Sequence, residues 1–513
     1  MMAGAIVLLA AALRIYGIAN RELWIDEANA IVISWQSLPD LIARLRLDSS
    51  PPLYYAGLHY WMLAFGAGDA ATRSLSVLGG VLLTYFTYRF GRRWFGTEVG
   101  LMAAALLAVA PIQIFYSQTV RMYAWLPLLA LLATAALAGA IQSARPWRLV
   151  AYAAATLAAL YTHNFALHLL PAHALLVAAS GALRRHPARW LACAIAIGLG
   201  YLPWLPILRE QLANKSQYGW FEAHWKQNGP AGILLESIQS FTPGGTQPPF
   251  VRQTGLSQFA WLPVAVIALL VGLAVVRWLR GLSTSAGGSS IDAARPPAIG
   301  FVLIATLMPL ASALLSSMLL TPNYVPGRTD QLVFPGFVLL VAIGLSVLRP
   351  RPLRCVVLAG LLVVALTTIR PIYRSPASYS DRDLARAIAD RARPGDAVVT
   401  TSLTRATLEV YLRRAAAPVT IHSFPPETAL HLGNQSDESL LSDPEKMKRT
   451  ATELIDELSG SGRSRRVFAV LALTPVNQVL YDTLLAAHRP QVEIGQYHQA
   501  GMPYPLMLVQ FDF

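Results

Sequence analysis

The sequence predicts an α-helical polytopic membrane protein of about eleven transmembrane helices, closed by a small C-terminal extracytoplasmic α/β domain. Three observations lead there. The chain of 513 residues is 55% hydrophobic and only 13% charged, with a mean hydropathy of +0.46, far from the composition of soluble proteins. Apolar stretches long enough to cross a bilayer recur at 1–18, 73–90, 99–116, 122–140, 148–163, 165–181, 190–207, 258–278, 299–320, 332–348 and 353–369. Basic groups fall in alternate connections only, which is how a membrane protein is oriented.

The first stretch is interrupted by Arg14 and has neither a basic leader nor a small-residue cleavage site before Asn20 and Arg21, so it reads as an uncleaved helix. Residues 19–71 form a long first loop. Within it Ala28–Trp35, Leu38–Leu47 and Pro52–Phe65 are apolar on one face but too short or too polar to span, and are expected as interfacial helices. The basic groups Arg89/Arg92/Arg93, Arg145/Arg148, Arg184/Arg185/Arg189, Arg277/Arg280 with Arg295, and Arg349/Arg351/Arg354 all lie on the side of the N-terminus, which makes that side cytoplasmic. An odd number of spans then places the first loop, a second long loop at 208–257 and residues 370–513 outside. The domains are therefore a transmembrane part over 1–369 and a soluble part over 370–513.

The Gly/Ser-rich stretch around 279–298 reads as an unstructured cytoplasmic connection. In the tail, Asp381–Asp390 and Asn477–Ala487 have helical period, while Asp396–Thr401, Arg466–Leu473 and Leu506–Phe513 read as strands. No internal repeat and no glycine-rich phosphate loop is visible. The net charge of +13 is dispersed between apolar spans, which excludes a nucleic-acid-binding face and points to membrane orientation. Cys193 and Cys355 lie in apolar stretches, so the external parts fold without disulfides and no cysteine metal cluster exists.

Chemistry is indicated where polar residues gather. Asp26 and Glu27 stand just beyond the first span, and adjacent carboxylates are costly beside hydrocarbon unless they are solvated or used. Asp48 and His59 share their loop, Gln118 and Arg121 lie between the third and fourth spans, His163 and Asn164 between the fifth and sixth, and Arg328 and Asp330 before the tenth. All are on one side, which points to a shared cavity. Each has a plainer reading: Arg121 as a snorkelling helix end, His163 as a turn-capping residue, Tyr54, Tyr55, Tyr60 and Trp61 as an interfacial aromatic belt, and His168 and His173 as neutral buried imidazoles. The 208–257 loop, with Trp220, Phe221, His224, Trp225 and Pro248–Pro249, is long enough for a lid.

The segments Arg14…Leu23–Trp24–Ile25–Asp26–Glu27–Ala28, Asp48…Pro51–Pro52–Leu53–Tyr54–Tyr55, Gly66…Arg73, Tyr116–Ser117–Gln118…Arg121–Met122–Tyr123–Ala124 and Tyr161–Thr162–His163 resemble, in order and spacing, the GT-C superfamily of integral-membrane glycosyltransferases. They are most similar to its branch of protein mannosyltransferases and aminoarabinose transferases to lipid A. The resemblance covers residues 10–210, extends to the later spans by hydropathy and hardly reaches the terminal domain. It implies a polyprenyl-phosphate sugar as donor, bound at the outer face of the cytoplasmic membrane, and a hydroxyl of a lipid, glycan or protein as acceptor. It aligns Asp26 with the catalytic acidic residue and Glu27 with its acidic neighbour.

Two departures stand out: Ser50 precedes the Pro-Pro pair where relatives often carry His, and Gly327–Arg328–Thr329 replaces a common Arg-Tyr pair. Transfer from a phosphate-linked sugar requires a base at the incoming hydroxyl and cations at the leaving phosphate. Asp26 fits the first role, Arg121 and Arg328 the second, and a single displacement would invert the anomeric carbon. Asp48, Tyr54, Tyr55, His59, Gln118, Tyr123, His163 and Asn164 are the candidate substrate contacts. The sequence identifies no cofactor, and a divalent cation held through Glu27 or Asp48 stays open. A transporter or flippase of a lipid-linked sugar is the competing class, but it requires polar residues through the membrane's whole depth.

Overall fold

The structure is a computed structural model and describes residues 1–213, 219–243, 261–285, 298–320, 322–373, 380–401, 404–426, 443–460, 465–472, 474–487, 490–498 and 505–513. Its helices are α1 (Met2–Ile15), α2 (Ile25–Ser34), α3 (Leu38–Leu45), α4 (Leu53–Phe65), α5 (Asp69–Phe95), α6 (Thr97–Val109), α7 (Pro111–Ser117), α8 (Trp125–Gln142), α9 (Pro146–Leu160), α10 (Leu169–Ala179), α11 (Ala182–Arg185), α12 (Pro187–Tyr201), α13 (Leu205–Ala213), α14 (Gly219–Phe241), α15 (Trp261–Ser285), α16 (Ala298–Leu319), α17 (Phe334–Val347) and α18 (Arg351–Thr368). Over the described residues each apolar stretch read from the sequence is largely helical, and each short helix expected in the first loop is present as α2, α3 and α4. Among the described residues six helical segments are long and apolar enough to cross a membrane, and a seventh if the bent pair α6–α7 counts as one.

Local sequence explains the breaks. Pro111 opens α7 after an extended Ala110, and the two helices meet at 62°, because proline cannot continue the ladder of the preceding helix. Proline likewise starts α9 and α12, where its missing N–H would be unpaired in any case. The helix α5 is the central strut and packs against α1, α4, α6, α7 and α8. Its ends carry Asp69 and Arg73 on one side and Arg89, Arg92 and Arg93 on the other.

The second long loop needs correcting. Its described part is helical: α13 continues the α12 segment, and α14 is broken at Gly229 just before Pro230. Phe221 and Trp225 are buried there, and His224 pairs with Glu236 at 2.9 Å. Pro248–Pro249 and most of the 279–298 connection lie outside the described residues.

The terminal domain is a five-stranded mixed sheet with α19 (Asp381–Ala389), β1 (Asp396–Thr401), α20 (Arg405–Arg414), β2 (Val419–Phe424), α21 (Pro444–Ser459), β3 (Arg466–Ala472), α22 (Pro475–Ala487), β4 (Pro490–His498) and β5 (Pro505–Asp512). The order is β2-β1-β3-β5-β4, parallel through β2-β1-β3 and antiparallel at β5 and β4. Side chains alternate across it. Val398, Phe468 and Val470 join the apolar core that runs through α19 and α20 into the membrane part, whereas Ala397, Val399, Val467 and Ala469 pack on α21 and α22. Burial on both faces explains why β1 and β3 read as unbroken apolar runs.

The domain is anchored on the first loop. Asp69 accepts from Arg382 Nη2 and Arg414 Nη1, both at 2.6 Å, and Arg414 Nη2 also donates to Ala67 O at 2.5 Å. Tyr411 Oη accepts the Leu23 N–H at 2.8 Å, and the Arg413 guanidinium lies over the Trp35 ring at 4.6 Å. Asp69→Ala leaves two guanidinium groups without their shared carboxylate, a loss of about 3 kcal/mol for a part-buried network. Hydrogen exchange should then accelerate at Leu23 and Trp24 while β1 and β3 stay protected; unchanged exchange at Leu23 refutes the anchoring.

Candidate active site

Two buried arginines build the frame. Leu107 O, in the last turn of α6, would pair with the N–H four residues on, which Pro111 lacks. Arg14 supplies donors instead: Nη2 to Leu107 O at 3.1 Å, Nη1 to Ala108 O at 2.9 Å and Nε to Ser117 Oγ at 3.1 Å. A Cβ at Gly80 on α5 would overlap Ser117 Oγ and crowd Arg14 Nε, so only glycine lets this side chain cross. Gln118 closes the same corner by donating Nε2 to Arg14 O at 3.0 Å and Tyr16 O at 2.7 Å.

The second arginine is Arg73. Its Nε and Nη2 grip Glu27 Oε1 and Oε2, each at 2.8 Å, with relative exposures of 0% and 1%. Nη1 donates to Ile18 O and Arg21 O at 2.8 and 3.0 Å, and the Val120 N–H completes Glu27 Oε1 at 3.0 Å. A buried pair is tolerable when its remaining hydrogen bonds are satisfied in this way. Glu27 thereby locks α2 to α5 and to the turn before α8.

Successive residues of a helix point about 100° apart, so Asp26 faces elsewhere. Its Oδ2 accepts from Arg328 Nη2 at 2.5 Å, and Arg328 Nε donates to Tyr123 Oη at 2.5 Å. The Arg328 guanidinium lies 5.3 Å from the Tyr123 ring centroid and 6.0 Å from that of Trp24. Gly327, at φ +69°, turns the chain so that Arg328 enters the site, and its N–H is held by Asp330 Oδ2 at 3.0 Å.

Arg121, itself buried, donates Nη1 to Tyr55 Oη at 2.9 Å, and that hydroxyl donates to Asp48 Oδ2 at 3.1 Å. Arg121 Nε is buried and meets no acceptor among the described residues. The His163 ring stands 5.6 Å from Tyr123. Burial works to raise the Asp26 carboxyl, but the charges of Arg328 and Arg121 and the Arg328 hydrogen bond outweigh it and hold the group below the ordinary aspartate range. Arg121 is pushed the other way: burial opposes its charge, yet Tyr55, Asp26, Tyr123 and Asp48 together raise it well above its usual value.

Asp26, Asp48, Tyr55, Arg121, Tyr123, His163 and Arg328 thus converge from separate connections. The other sequence candidates support rather than line this cluster. Tyr54 shares a hydrogen bond with Ser76 Oγ at 3.0 Å, His59 Nδ1 meets Ser34 O at 2.9 Å, and Asn164 Nδ2 donates to Ser49 O and Gln211 Oε1, both at 2.9 Å. The aromatic-belt reading fails for Tyr54 and Tyr55, which are buried, while Tyr60 is exposed. Arg121 does not snorkel. His163 does cap its turn, accepting the Phe165 N–H at 3.0 Å, and His173 is buried between Thr134 and Tyr152.

Among the described residues no three His, Cys, Asp or Glu side chains stand close enough to hold a metal. Both oxygens of Glu27 are engaged by Arg73, so that carboxylate does not suit a cation.

Residues 49–206 match the family model described as dolichyl-phosphate-mannose-protein mannosyltransferase. ArnT from Cupriavidus metallidurans in the apo state superimposes with a TM-score of 0.63 at 15% identity, over 99% of this chain and 97% of that one. This chain shares the GT-C fold. Two further GT-C structures are similar: ArnT bound to undecaprenyl phosphate, with a TM-score of 0.57 at 16% identity over 99% and 97% of the two chains, and the oligosaccharyltransferase of Archaeoglobus fulgidus in complex with Zn and sulfate, at 0.52 and 13% over 92% and 68%. No curated protein matches the chain.

The two neighbouring carboxylates should separate in a stability measurement. Glu27→Gln strands a buried Arg73 and costs about 3–5 kcal/mol, whereas Asp26→Asn leaves a part-exposed Arg328 still bonded to Tyr123 and costs about 1 kcal/mol. Thermal unfolding of the purified variants checks this; equal losses would place Asp26 in the frame.

Proposed function

We propose that the protein is an inverting membrane glycosyltransferase that moves a sugar from a polyprenyl-phosphate carrier to a hydroxyl acceptor, with Asp26 as general base. The observation that carries this reading is the convergence of Arg328 and Arg121 on Asp26, with a buried Arg121 Nε that meets no acceptor. Two guanidinium groups beside one carboxylate suit a phosphate leaving group next to an attacking hydroxyl. The undecaprenyl phosphate bound to ArnT supports a polyprenyl-phosphate donor here. In the topology we favour, eleven spans leave the N-terminus in the cytoplasm and put Asp26 and the terminal domain outside.

In the reaction the acceptor oxygen forms its bond to the anomeric carbon as the bond from that carbon to the phosphate oxygen breaks. The acceptor proton passes to Asp26, and the electron pair leaves with the polyprenyl phosphate, whose added charge Arg121 and Arg328 hold. Arg328 has a double engagement. Without donor it binds Asp26; an arriving phosphate competes for it and releases the carboxylate for the hydroxyl. Asp48 acts through Tyr55 to orient Arg121, and Glu27 holds the α2 scaffold.

Asp26→Asn keeps shape but removes the basic lone pair, so turnover should fall roughly 10²–10⁴-fold while donor binding survives. Near wild-type transfer by this variant would transfer the role to Asp48. Since Asp26 is held below its ordinary range in the unliganded site, kcat/KM, which reports the free enzyme, should persist as pH falls and drop only below the usual aspartate value of about 4. An acid limb near neutrality would point to another base.

Arg121→Met and Arg328→Met each remove a charge-assisted contact worth about 1.5–3 kcal/mol, so donor affinity should drop about ten- to a hundredfold. Lys should rescue in part, because a point charge cannot reproduce the fork. Binding of radiolabelled lipid-linked donor measures it; unchanged affinity in both Met variants removes them from the phosphate site.

A further inference from the structure

At the far end of α5 from Arg73 lies a second cavity of about 460 Å³, between α5 and α8. A rise of about 1.5 Å per residue from Arg73 to Arg92 amounts to about 28 Å, close to the hydrocarbon thickness of about 30 Å. In the topology proposed above, which this inference rests on, the cavity sits at the opposite membrane face from Asp26 and takes no part in the chemistry there. Its lining is of two kinds. Arg89, Arg92 and Arg93 form one side, while Phe86, Trp94 and Leu132 form an apolar wall.

Both parts are built features. Trp94 stacks on Phe90 with centroids 5.4 Å apart and planes within 9°, and touches Phe301 at 5.2 Å, so the apolar wall is fixed from behind. The three guanidinium groups are exposed. Glu98, the acid nearest to them in the chain, is engaged with Arg354. On the neighbouring connection Arg148 Nη1 is tied to Gly139 O at 2.8 Å, beside the cavity. Basic residues alone orient a chain in the membrane; three of them around a half-open recess between helices that also has an apolar wall do more, because such a recess suits an anionic lipid.

We propose that this cavity is a binding site for an anionic phospholipid of the leaflet opposite the Asp26 site. Its phosphate would rest on Arg89, Arg92 and Arg93, and its acyl chains would start along Phe86, Trp94 and Leu132 before continuing into the bilayer. A volume in the range of ordinary ligand cavities accommodates the headgroup and the first part of the chains. The charge complementarity favours phosphatidylglycerol over zwitterionic lipids, and the apolar wall favours a lipid over free phosphate.

Native mass spectrometry of the full chain in detergent tests this with phosphatidylglycerol as probe and phosphatidylcholine as control. The wild type should retain phosphatidylglycerol selectively, and the triple variant Arg89→Gln, Arg92→Gln, Arg93→Gln should lose about a hundredfold in affinity. Ala135→Trp keeps every charge but fills the recess, and should reduce retention as well. Arg93→Gln alone, at an exposed position, should give a smaller loss and serves if the triple variant does not fold. Retention unchanged in the folded arginine variants overturns the proposal, as does retention unchanged in Ala135→Trp, which would leave only a surface charge effect. Displacement of the lipid by millimolar inorganic phosphate would overturn it too, since the cavity would then be a simple anion site.

Discussion

The architecture of the site depends on one buried ion pair, Arg73 with Glu27. It joins the long strut α5 to the first helix of the external loop, and through Val120 to the turn that carries Arg121. Charges out of water are tolerable only when their geometry is fixed and their remaining donors are used. Arg73 meets that demand by gathering the carbonyls of Ile18, Arg21 and Glu22. The consequence is a rigid corner, against which Asp26 projects toward Arg328.

A second layer of the same logic surrounds it. Arg14 meets neutral carbonyls left open by the proline break between α6 and α7, so a helix defect and a buried cation satisfy each other. The cluster around Asp26 inherits this order. Tyr55, Tyr123 and Trp24 hold Arg121 and Arg328 in place by hydrogen bonds and ring faces, which in the proposed reaction reduces the reorganisation needed for a phosphate to replace a protein carboxylate.

Asp26, Arg121 and Arg328 were legible in the sequence because charges at the ends of apolar stretches are costly and so rarely incidental. The position of each apolar stretch was legible for the same reason, and burial on both faces made β1 and β3 readable as strands. The different tasks of Asp26 and Glu27 were not. Adjacency in sequence suggested a working pair, but a helix that starts at Ile25 turns the two carboxylates in different directions, one onto Arg328 and one onto Arg73. Tyr54 and Tyr55 read as interfacial rings because aromatic composition does not reveal that a hydroxyl will be needed inside. The helix α20 left no clear periodicity, since it is covered by α2 on one side and by α19 and β2 on others. Its partner Asp69 lies more than three hundred residues away, a pairing that no local pattern encodes.

The grip of Tyr411 on the Leu23 N–H has a thermodynamic corollary. Leu23 stands less than one helical turn before Asp26, so the docked terminal domain and the donor-ready geometry of α2 belong to the same conformational state. Linkage is reciprocal: any partner that binds the docked domain more tightly than the free one must, by the same factor, raise the fraction of molecules whose cleft is assembled. Occupancy of the cleft must in turn tighten the hold of the domain on the membrane part. In the reaction proposed above, the C-terminal domain is thereby coupled in free energy to the chemistry at Asp26 through Leu23.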